Sequence, residues 1–173
     1  MTAKKTTAKP ARKTAAKAAA GPDAIALLIA DHKEVKALFK KYQKLVDSEA
    51  GDSEKGELAQ QICTMLTVHA QIEEEIFYPA TREVLDEQDL VDEAAVEHAS
   101  AKDLIAQIES MTPGDDLYDA KVKVLGEYID HHVEEEEGEM FPKVKKAGLD
   151  VAEIGGELEA RKAELMEEMT ATA

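Results

Sequence analysis

The chain has 173 residues with 37 acidic and 21 basic side chains, and its formal net charge is −16 at pH 7. This length predicts one domain with terminal extensions and leaves little room for two full domains. The single cysteine, Cys63, excludes an internal disulfide and a cysteine-rich zinc site, and it favours a reducing compartment. The chain contains no run of about 18 apolar residues, so we expect no membrane segment and a cytoplasmic location.

Residues 1–22 carry six basic side chains and no acidic one. This Ala/Lys/Thr-rich stretch has little apolar surface to bury, so we expect a disordered tail. It resembles the arms of histone-like proteins, but it lacks aromatic residues, so a solubilising role is favoured over nucleic-acid contact through residues 1–20. An organelle transit peptide is disfavoured because the tail has one arginine and no serine. The rest of the chain has a net charge of −22, which repels nucleic acid and anionic membranes.

Apolar residues recur at spacings of three and four through most of the remaining chain, which is the pattern of amphipathic helices. The pattern predicts four long helices: Asp23 to Ser48, Leu58 to a bend or end near Pro79, Asp89 to Met111, and Asp116 toward Pro142. The residues expected on the inner face of the fourth helix are Leu117, Val124, Leu125, Tyr128, Ile129, His132 and Glu136. A short fifth helix, capped by Asp150, follows. We therefore predict an all-α, up-down-up-down four-helix bundle over residues 23–148, with a C-terminal amphipathic helix over 149–173 packed on it.

Two segments of the chain resemble each other: "HAQIEEEIFYPA" at 69–80 and "HHVEEEEGEMFPK" at 131–143. When they are aligned on their prolines, His69 falls on His132 and Glu73 falls on Glu136. The first and third helices align in the same way, with the "DH" at 31–32 on the "EH" at 97–98. The chain is therefore predicted to contain a two-helix repeat, each copy supplying one histidine and then a His-x-x-x-Glu pair.

The four-residue spacing has a chemical meaning. Residues four apart lie on one face of a helix, about 6 Å apart along its axis, so an imidazole and a carboxylate can meet at one point. A buried, ionised glutamate costs several kcal/mol unless a positive charge compensates it. Four imidazoles with two carboxylates suit iron or manganese, with a bridging oxygen atom completing each shell if two ions bind. A single His-x-x-x-Glu would be weak evidence for a metal site. Its occurrence at equivalent positions in both repeats makes the evidence specific.

The chain is identified at this point as resembling the hemerythrin-like family, also called HHE cation-binding domains. The motifs that carry the resemblance are "DHKEV" at 31–35, "HAQIEEEIFYP" at 69–79, "EH" at 97–98 and "HHVEEEEGEMFP" at 131–142. By position, the resemblance implies these metal ligands: His32, His69, Glu73, His98, His132 and Glu136. It also implies an iron cofactor, with a di-iron centre expected and manganese or zinc as alternatives.

Two differences separate this chain from the oxygen-carrying hemerythrins. Those proteins have a second histidine four residues after the third-helix histidine, where this chain has Lys102. They also have His-x-x-x-x-Asp in the last helix, where this chain has His132 and Glu136. Simple oxygen transport is therefore disfavoured. The resemblance implies binding of iron and, through it, of dioxygen or a small oxidant in storage, sensing or stress response. The alternatives are an enzyme that consumes peroxide or nitric oxide and a nucleic-acid-associated iron-binding stress protein that acts through its basic tail. The chain is expected to be a monomer or a dimer.

Several other residues near the motifs are candidates for binding the metal or for contacting its ligands. His131 and Glu135 have the same spacing as His132 and Glu136, and a shift of one residue would exchange the two pairs. The other glutamates of these motifs are expected on solvated faces, although one of them, or Asp31 or Glu97, could accept a ring N–H from a ligand histidine. Among the tyrosines, Tyr128 is expected nearest the metal, and Cys63 is expected to be a buried small hydrophobe. No catalytic side chain is predicted, and a ferritin-like site is disfavoured because no histidine follows a glutamate at three residues.

Overall fold

The computed structural model describes the backbone of residues 21–172 and the side chains of residues 21–171, so the predicted basic tail lies almost wholly outside the described residues. Every regular element in the described part is helical. The elements are α1 Ala24–Asp47, α2 Asp52–Ile72, π1 Glu73–Phe77, α3 Tyr78–Val84, α4 Asp89–Glu109, α5 Tyr118–Glu135, π2 Glu136–Met140, α6 Phe141–Ala147 and α7 Val151–Thr172. The predicted all-α class is confirmed.

Four helical segments form the bundle: α1, the continuous run α2–π1–α3, α4, and the continuous run α5–π2–α6. Contacts join α1 to α2, α2 to α4, α4 to α5, and α5 back to α1, so neighbours in the chain are neighbours in space. This arrangement is the expected up-down-up-down bundle. Two predicted caps are present, since Asp23 Oδ1 accepts from the Ala26 N–H at 3.0 Å and Asp150 Oδ1 accepts from the Glu153 N–H at 3.1 Å.

Both long runs pass through a widened turn and continue beyond their prolines. The Tyr78 N–H donates to the Glu73 carbonyl and the Phe141 N–H donates to the Glu136 carbonyl, each five residues back, which is the π-helical pattern. Pro79 and Pro142 follow immediately, at the start of α3 and α6. A proline ring usually clashes with the carbonyl four residues earlier, and the wider turn places it at a position that a helix tolerates. The helix therefore continues past the proline, and each widened turn begins at a predicted glutamate ligand.

The fifth helix, α7, has 22 residues and is therefore as long as the bundle helices rather than short. It packs against α1 and α2, and none of its main contacts is with α4 or α5. Gly155 allows this close packing, because a Cβ atom there would lie 1.7 Å from the Pro22 carbonyl oxygen. The first repeat is thus covered on its outer side by a helix that the second repeat lacks.

The buried apolar side chains form two clusters, one toward each end of the bundle. The first includes Val35, Leu66, Ala101 and Ile129, and the second includes Leu28, Ile72, Ala94 and Met140. On α1, His32 lies between Leu28 of the second cluster and Val35 of the first, and on α4, His98 lies between Ala94 and Ala101. On α2 and α5 the order is reversed: His69 follows Leu66 of the first cluster and precedes Ile72 of the second, and His132 follows Ile129 and precedes Met140. The clusters therefore close off a polar layer at mid-bundle from both ends.

The expected inner face of the fourth helix needs correction. Leu117 is 69% exposed and Tyr128 is 50% exposed, and Val124 is also exposed. Leu125 and Ile129 face inward as expected, and Val122, three residues before Leu125, lies on the same face. Apolar residues occupy more than one face of this helix, so periodicity alone did not choose between them. No helix in the described part of the chain is long and apolar enough to cross a membrane.

Candidate metal centre

Four histidines meet in the polar layer, one from each of α1, α2, α4 and α5, and all four are buried. Their Nε2 atoms point toward the bundle axis. The Nε2 atoms of His32 and His69 are 3.2 Å apart, and those of His98 and His132 are also 3.2 Å apart. The structure therefore pairs the histidines within each repeat, as the sequence alignment implied.

Glu73 and Glu136 lie between these two histidine pairs, and each carboxylate spans both repeats. Glu73 Oε2 is 3.2 Å from His69 Nε2 and 3.4 Å from His98 Nε2. Glu136 Oε2 is 3.3 Å from His32 Nε2 and 3.5 Å from His132 Nε2. All six predicted ligands are thus brought into one layer, and each glutamate is at most 1% exposed.

A second layer of carboxylates fixes the orientation of the imidazole rings. Each Nδ1 atom lies within hydrogen-bonding distance of an acidic side chain. The pairs are His32 with Glu137 at 2.9 Å, His69 with Asp31 at 3.4 Å, His98 with Glu74 at 3.0 Å, and His132 with Glu97 at 2.7 Å. The repeat predicted that some acidic neighbours could take this role, and it pairs Asp31 with Glu97 and Glu74 with Glu137. The other glutamates of the motifs do not contact the ring nitrogens of these four histidines.

These outer bonds determine which ring nitrogen is free. A neutral histidine that donates Nδ1–H to a carboxylate presents an unprotonated Nε2 to the interior. Two such Nε2 atoms at 3.2 Å cannot form a hydrogen bond with each other, although their distance alone would permit one. The interior is therefore lined by four nitrogen lone pairs and two carboxylates, and every one of these groups attracts a cation.

Three of the four carboxylate oxygens in the interior accept no hydrogen bond, and this indicates whether a cation fits the site. Both oxygens of Glu73 and Oε2 of Glu136 are buried without a hydrogen-bond partner. Buried polar atoms are almost always satisfied, and an unpaired buried carboxylate is strongly unfavourable. The donor set fits a metal ion, because nitrogen and carboxylate ligands suit iron, manganese and zinc.

In the absence of a metal ion, protons supply part of the compensation. Burial lowers the pKa of His132, but its hydrogen bond to Glu97 and the charges of Glu136 and Glu73 outweigh burial and raise the pKa to about 9. Burial likewise lowers the pKa of His32, and Glu136 and Glu73 raise it further than burial lowers it. Burial raises the pKa of Glu73, yet the neighbouring histidines bring it well below its usual range. The layer therefore requires positive charge, whether from protons or from metal ions.

The ligand atoms form two groups that share one residue. His32, His69, Glu73 and Glu136 form one group within 4.8 Å, and Glu73 with His98 and His132 forms the other. Glu73 thus belongs to both groups.

Tyr78 is a residue of the site that the sequence interpretation missed. Its hydroxyl donates to Glu136 Oε1 at 2.9 Å and lies 3.2 Å from His98 Nε2. Its counterpart in the repeat is Phe141, whose ring stacks on His32 with centroids 5.9 Å apart. The expectation that Tyr128 lies nearest the metal was wrong, because that side chain points out of the bundle and is half exposed. The proline alignment places Tyr78 opposite another aromatic residue, Phe141. That repeated aromatic position could have indicated from the sequence that Tyr78 lies near the site.

The two pairs of the alternative register differ in burial. His132 and Glu136 are buried, whereas His131 is 65% exposed and Glu135 is partly exposed. Cys63 is buried as expected, and burial, together with the charge of Glu109, raises the pKa of its thiol to about 12. It packs in the first apolar cluster and has no contact with the histidine layer.

A small cavity of about 20 Å³ lies against the histidine layer. All four histidines line it, and the other walls include the apolar side chains of Val35, Leu66, Ala101, Ile105, Ile129 and Val133. This volume is sufficient for one water-sized molecule. A small, weakly polar molecule could therefore reach the ring nitrogens from this side.

Comparisons with known proteins show the family and the fold of this chain. A DNA nickase from Nostoc sp. (strain PCC 7120 / SAG 25.82 / UTEX 2576) is 31% identical to the chain over 115 residues, which are 66% of this chain and 31% of the nickase. The chain thus spans about a third of that relative's length. The crystal structure of a Hemerythrin HHE cation binding domain-containing protein from Mycobacterium kansasii shares the fold, with a TM-score of 0.69 at 24% identity over 84% of this chain and 88% of that one. The Hemerythrin HHE cation binding domain matches residues 23–144, and the chain therefore belongs to the hemerythrin HHE cation-binding family.

Proposed function

We propose that this protein binds a pair of iron ions in the histidine layer and, through them, dioxygen or a related small oxidant. One observation carries the proposal: four Nε2 lone pairs and three donorless carboxylate oxygens face one another in a buried layer. Such a layer is strongly unfavourable without a cation at its centre. The proposed ligands are His32, His69, Glu73, His98, His132 and Glu136.

Two features favour a pair of iron ions over a single zinc ion. The ligand atoms divide into two groups that share Glu73, so one carboxylate can bridge two ions. A mixed set of imidazoles and carboxylates suits iron or manganese, whereas structural zinc sites are tetrahedral and usually rich in thiolate. Iron would supply one-electron redox chemistry and open coordination positions, which a small oxidant requires.

The side chains of this protein would perform three tasks around such a centre. The carboxylates of Asp31, Glu74, Glu97 and Glu137 hold the rings so that every Nε2 faces inward. The two apolar clusters exclude bulk water from both ends. The cavity between the histidines and Val35, Leu66 and Ile105 is sized for a small molecule and excludes larger ones.

Metal analysis of the purified protein tests the proposal. Protein made under iron-replete conditions is expected to contain two irons per chain, with near-ultraviolet absorption that changes when oxygen is removed and returned. His69→Ala and Glu136→Ala should lose most of the iron, and the exposed neighbours provide matched controls, since His131→Ala and Glu135→Ala should retain it. A colourless, metal-free native protein, or equal iron in all five proteins, would refute the proposal.

A second candidate is an enzyme on the same site that consumes peroxide or nitric oxide. Lys102 stands where oxygen carriers of the family have a further histidine, and its Nζ bonds Glu74 at 2.5 and 2.7 Å. Fewer imidazoles leave more room for a substrate at the ions. Catalytic loss of added peroxide by the iron-loaded protein, absent in His132→Ala, would favour the enzyme over simple oxidant binding.

A third candidate is association with DNA through the basic tail. The tail carries six basic side chains, and one relative is named a DNA nickase. The acidic body opposes this role, because its net charge of −22 repels phosphate. Retention on DNA that weakens with salt and disappears when residues 1–20 are deleted would support it, and retention independent of the tail would exclude it.

A further inference from the structure

The two repeats differ in how they compensate the carboxylate that orients the second histidine. In the first repeat, Asp31 accepts from Lys162 Nζ at 2.5 Å in addition to contacting His69. Lys162 comes from α7, which covers only that repeat. The positive charge of a helix outside the repeat therefore balances Asp31.

The equivalent carboxylate in the second repeat is Glu97, and no lysine or arginine of the described residues pairs with it. Its Oε2 accepts from His132 Nδ1 at 2.7 Å, and its Oε1 lies 3.5 Å from His131 Nε2. Glu97 is 25% exposed, so Oε1 is at the protein surface. In the first repeat, Lys162 lies beside the outer oxygen of Asp31. No lysine or arginine of the described residues takes the equivalent position beside Glu97, so a cation from solution could bind there.

Three ligand atoms surround that position. His131 Nε2 is 3.4 Å from Glu135 Oε1 and 3.5 Å from Glu97 Oε1, and one atom from each residue lies within 4.8 Å of the others. These separations exceed a normal N–H···O distance of about 2.7–3.2 Å. Ligand atoms that lie about 2.0–2.1 Å from a tetrahedral ion are about 3.3–3.4 Å apart. The histidine and glutamate atoms of the buried layer have the same spacing, 3.2–3.5 Å.

The surrounding surface is negative and open. Asp92 and Glu93 line the same depression, with Val96 as its apolar wall. Asp92 is paired with Arg82 Nη2 at 2.6 Å, so Glu93 is the acidic neighbour whose charge raises the local concentration of cations. One imidazole and two carboxylates, with the remaining coordination completed by water, suit zinc or cobalt(II) more than calcium or magnesium, which prefer oxygen ligands only.

We propose that Glu97, His131 and Glu135 bind one divalent transition-metal ion at the surface, at a site separate from the buried layer. The ion occupies the place of Lys162 in the first repeat. Glu97 then joins the two sites, with Oε1 on the surface ion and Oε2 on the His132 ring. The surface site is consequently one residue away in the chain from His132, a proposed ligand of the buried layer.

Zinc titration by calorimetry tests this site in the protein as purified with its own metal. The wild-type chain should bind one additional Zn²⁺, and His131→Ala and Glu135→Gln should bind it at least tenfold more weakly. Glu134→Gln is the matched control, because it removes the same charge from an adjacent exposed residue of the same helix and should bind zinc as the wild type does. His131 is 65% exposed, so its replacement should leave the helical circular dichroism unchanged.

Iron content, measured before and after the titration, separates this site from exchange at the buried layer. Zinc uptake that equals iron loss, equal zinc uptake in all four proteins, or no uptake by the wild type would overturn the inference. The test does not depend on the proposed function. If the purified chain holds no iron, zinc also enters the buried layer, and the surface site is then identified by the single ion that His131→Ala loses and Glu134→Gln retains.

Discussion

Removal of the metal should destabilise the bundle strongly, because the ligands come from all four of its helical segments. The unfolded chain cannot bring them together, so the binding free energy contributes to folding. Three buried carboxylate oxygens lack a donor without the ion: both of Glu73 and one of Glu136. At about 1–3 kcal/mol for each unsatisfied group, the loss is at least about 3 kcal/mol. For a chain of this size, each kcal/mol shifts Tm by about 2–4 °C, so Tm should fall by at least about 6 °C.

The assay is thermal unfolding followed by circular dichroism, with and without removal of the metal by a chelator. Glu73→Gln should bind the metal weakly, and its Tm should respond little to the chelator. His131→Ala should respond as fully as the wild type, because its side chain lies outside the buried layer. If the chelator removes the iron but leaves the wild-type Tm unchanged, the ions are not held by all four helices, and the reasoning fails.

The pH dependence of the same experiment has a definite sign. In the metal-free protein the pKa of His132 is raised to about 9, chiefly by Glu97 and Glu136 acting against burial. A raised histidine pKa stabilises the fold below its unfolded value of about 6.5, and this stabilisation disappears as pH rises through the folded value. A metal-bound imidazole cannot take up that proton. The Tm difference between loaded and metal-free protein should therefore widen from about pH 6.5 to 9, and a constant difference would contradict this account.

Three further substitutions test the packing and the hydrogen bonds. Tyr78→Phe removes the donor to Glu136, so we expect unchanged iron content, altered near-ultraviolet absorption and a stability loss of about 1–3 kcal/mol in urea; an unchanged spectrum would place Tyr78 outside the site. Leu125→Ala opens a cavity in the fully buried core and should cost about 2–5 kcal/mol in urea unfolding, with iron content retained. Asp119→Asn weakens the bond from Lys55 at 2.9 Å, and because Asp119 is over a third exposed, urea unfolding should show a loss of only about 1 kcal/mol.

Much of the metal layer follows from local sequence. The spacing of His69 to Glu73 and of His132 to Glu136 places each pair on one helix face, whatever the rest of the fold does. Because the two repeats are similar, the simplest arrangement is that both pairs face one common site. The structure brings those side chains together. Caps such as Asp23 are equally local, because a side chain meets a backbone N–H three residues away.

Other features could not be predicted because they depend on contacts between distant parts of the chain. Tyr78 donates to Glu136, a residue 58 positions later in the chain, so this contact depends on how the two helical runs pack. The exposure of Tyr128 depends on which apolar face of α5 meets its neighbours. Hydrophobic periodicity specifies that a helix has an inner face, but it does not choose between two apolar faces.

The sequence by itself determined an all-helical bundle and a repeated set of histidines and glutamates at metal-ligand spacing, because helical periodicity is a property of neighbours in the chain. Only the tertiary structure decided that every Nδ1 meets a carboxylate, two of them from the opposite repeat, so that every Nε2 faces inward. It also decided that α7 covers one repeat and leaves Glu97 and His131 exposed on the other. Those outcomes depend on how distant helices pack, and no local pattern encodes that packing.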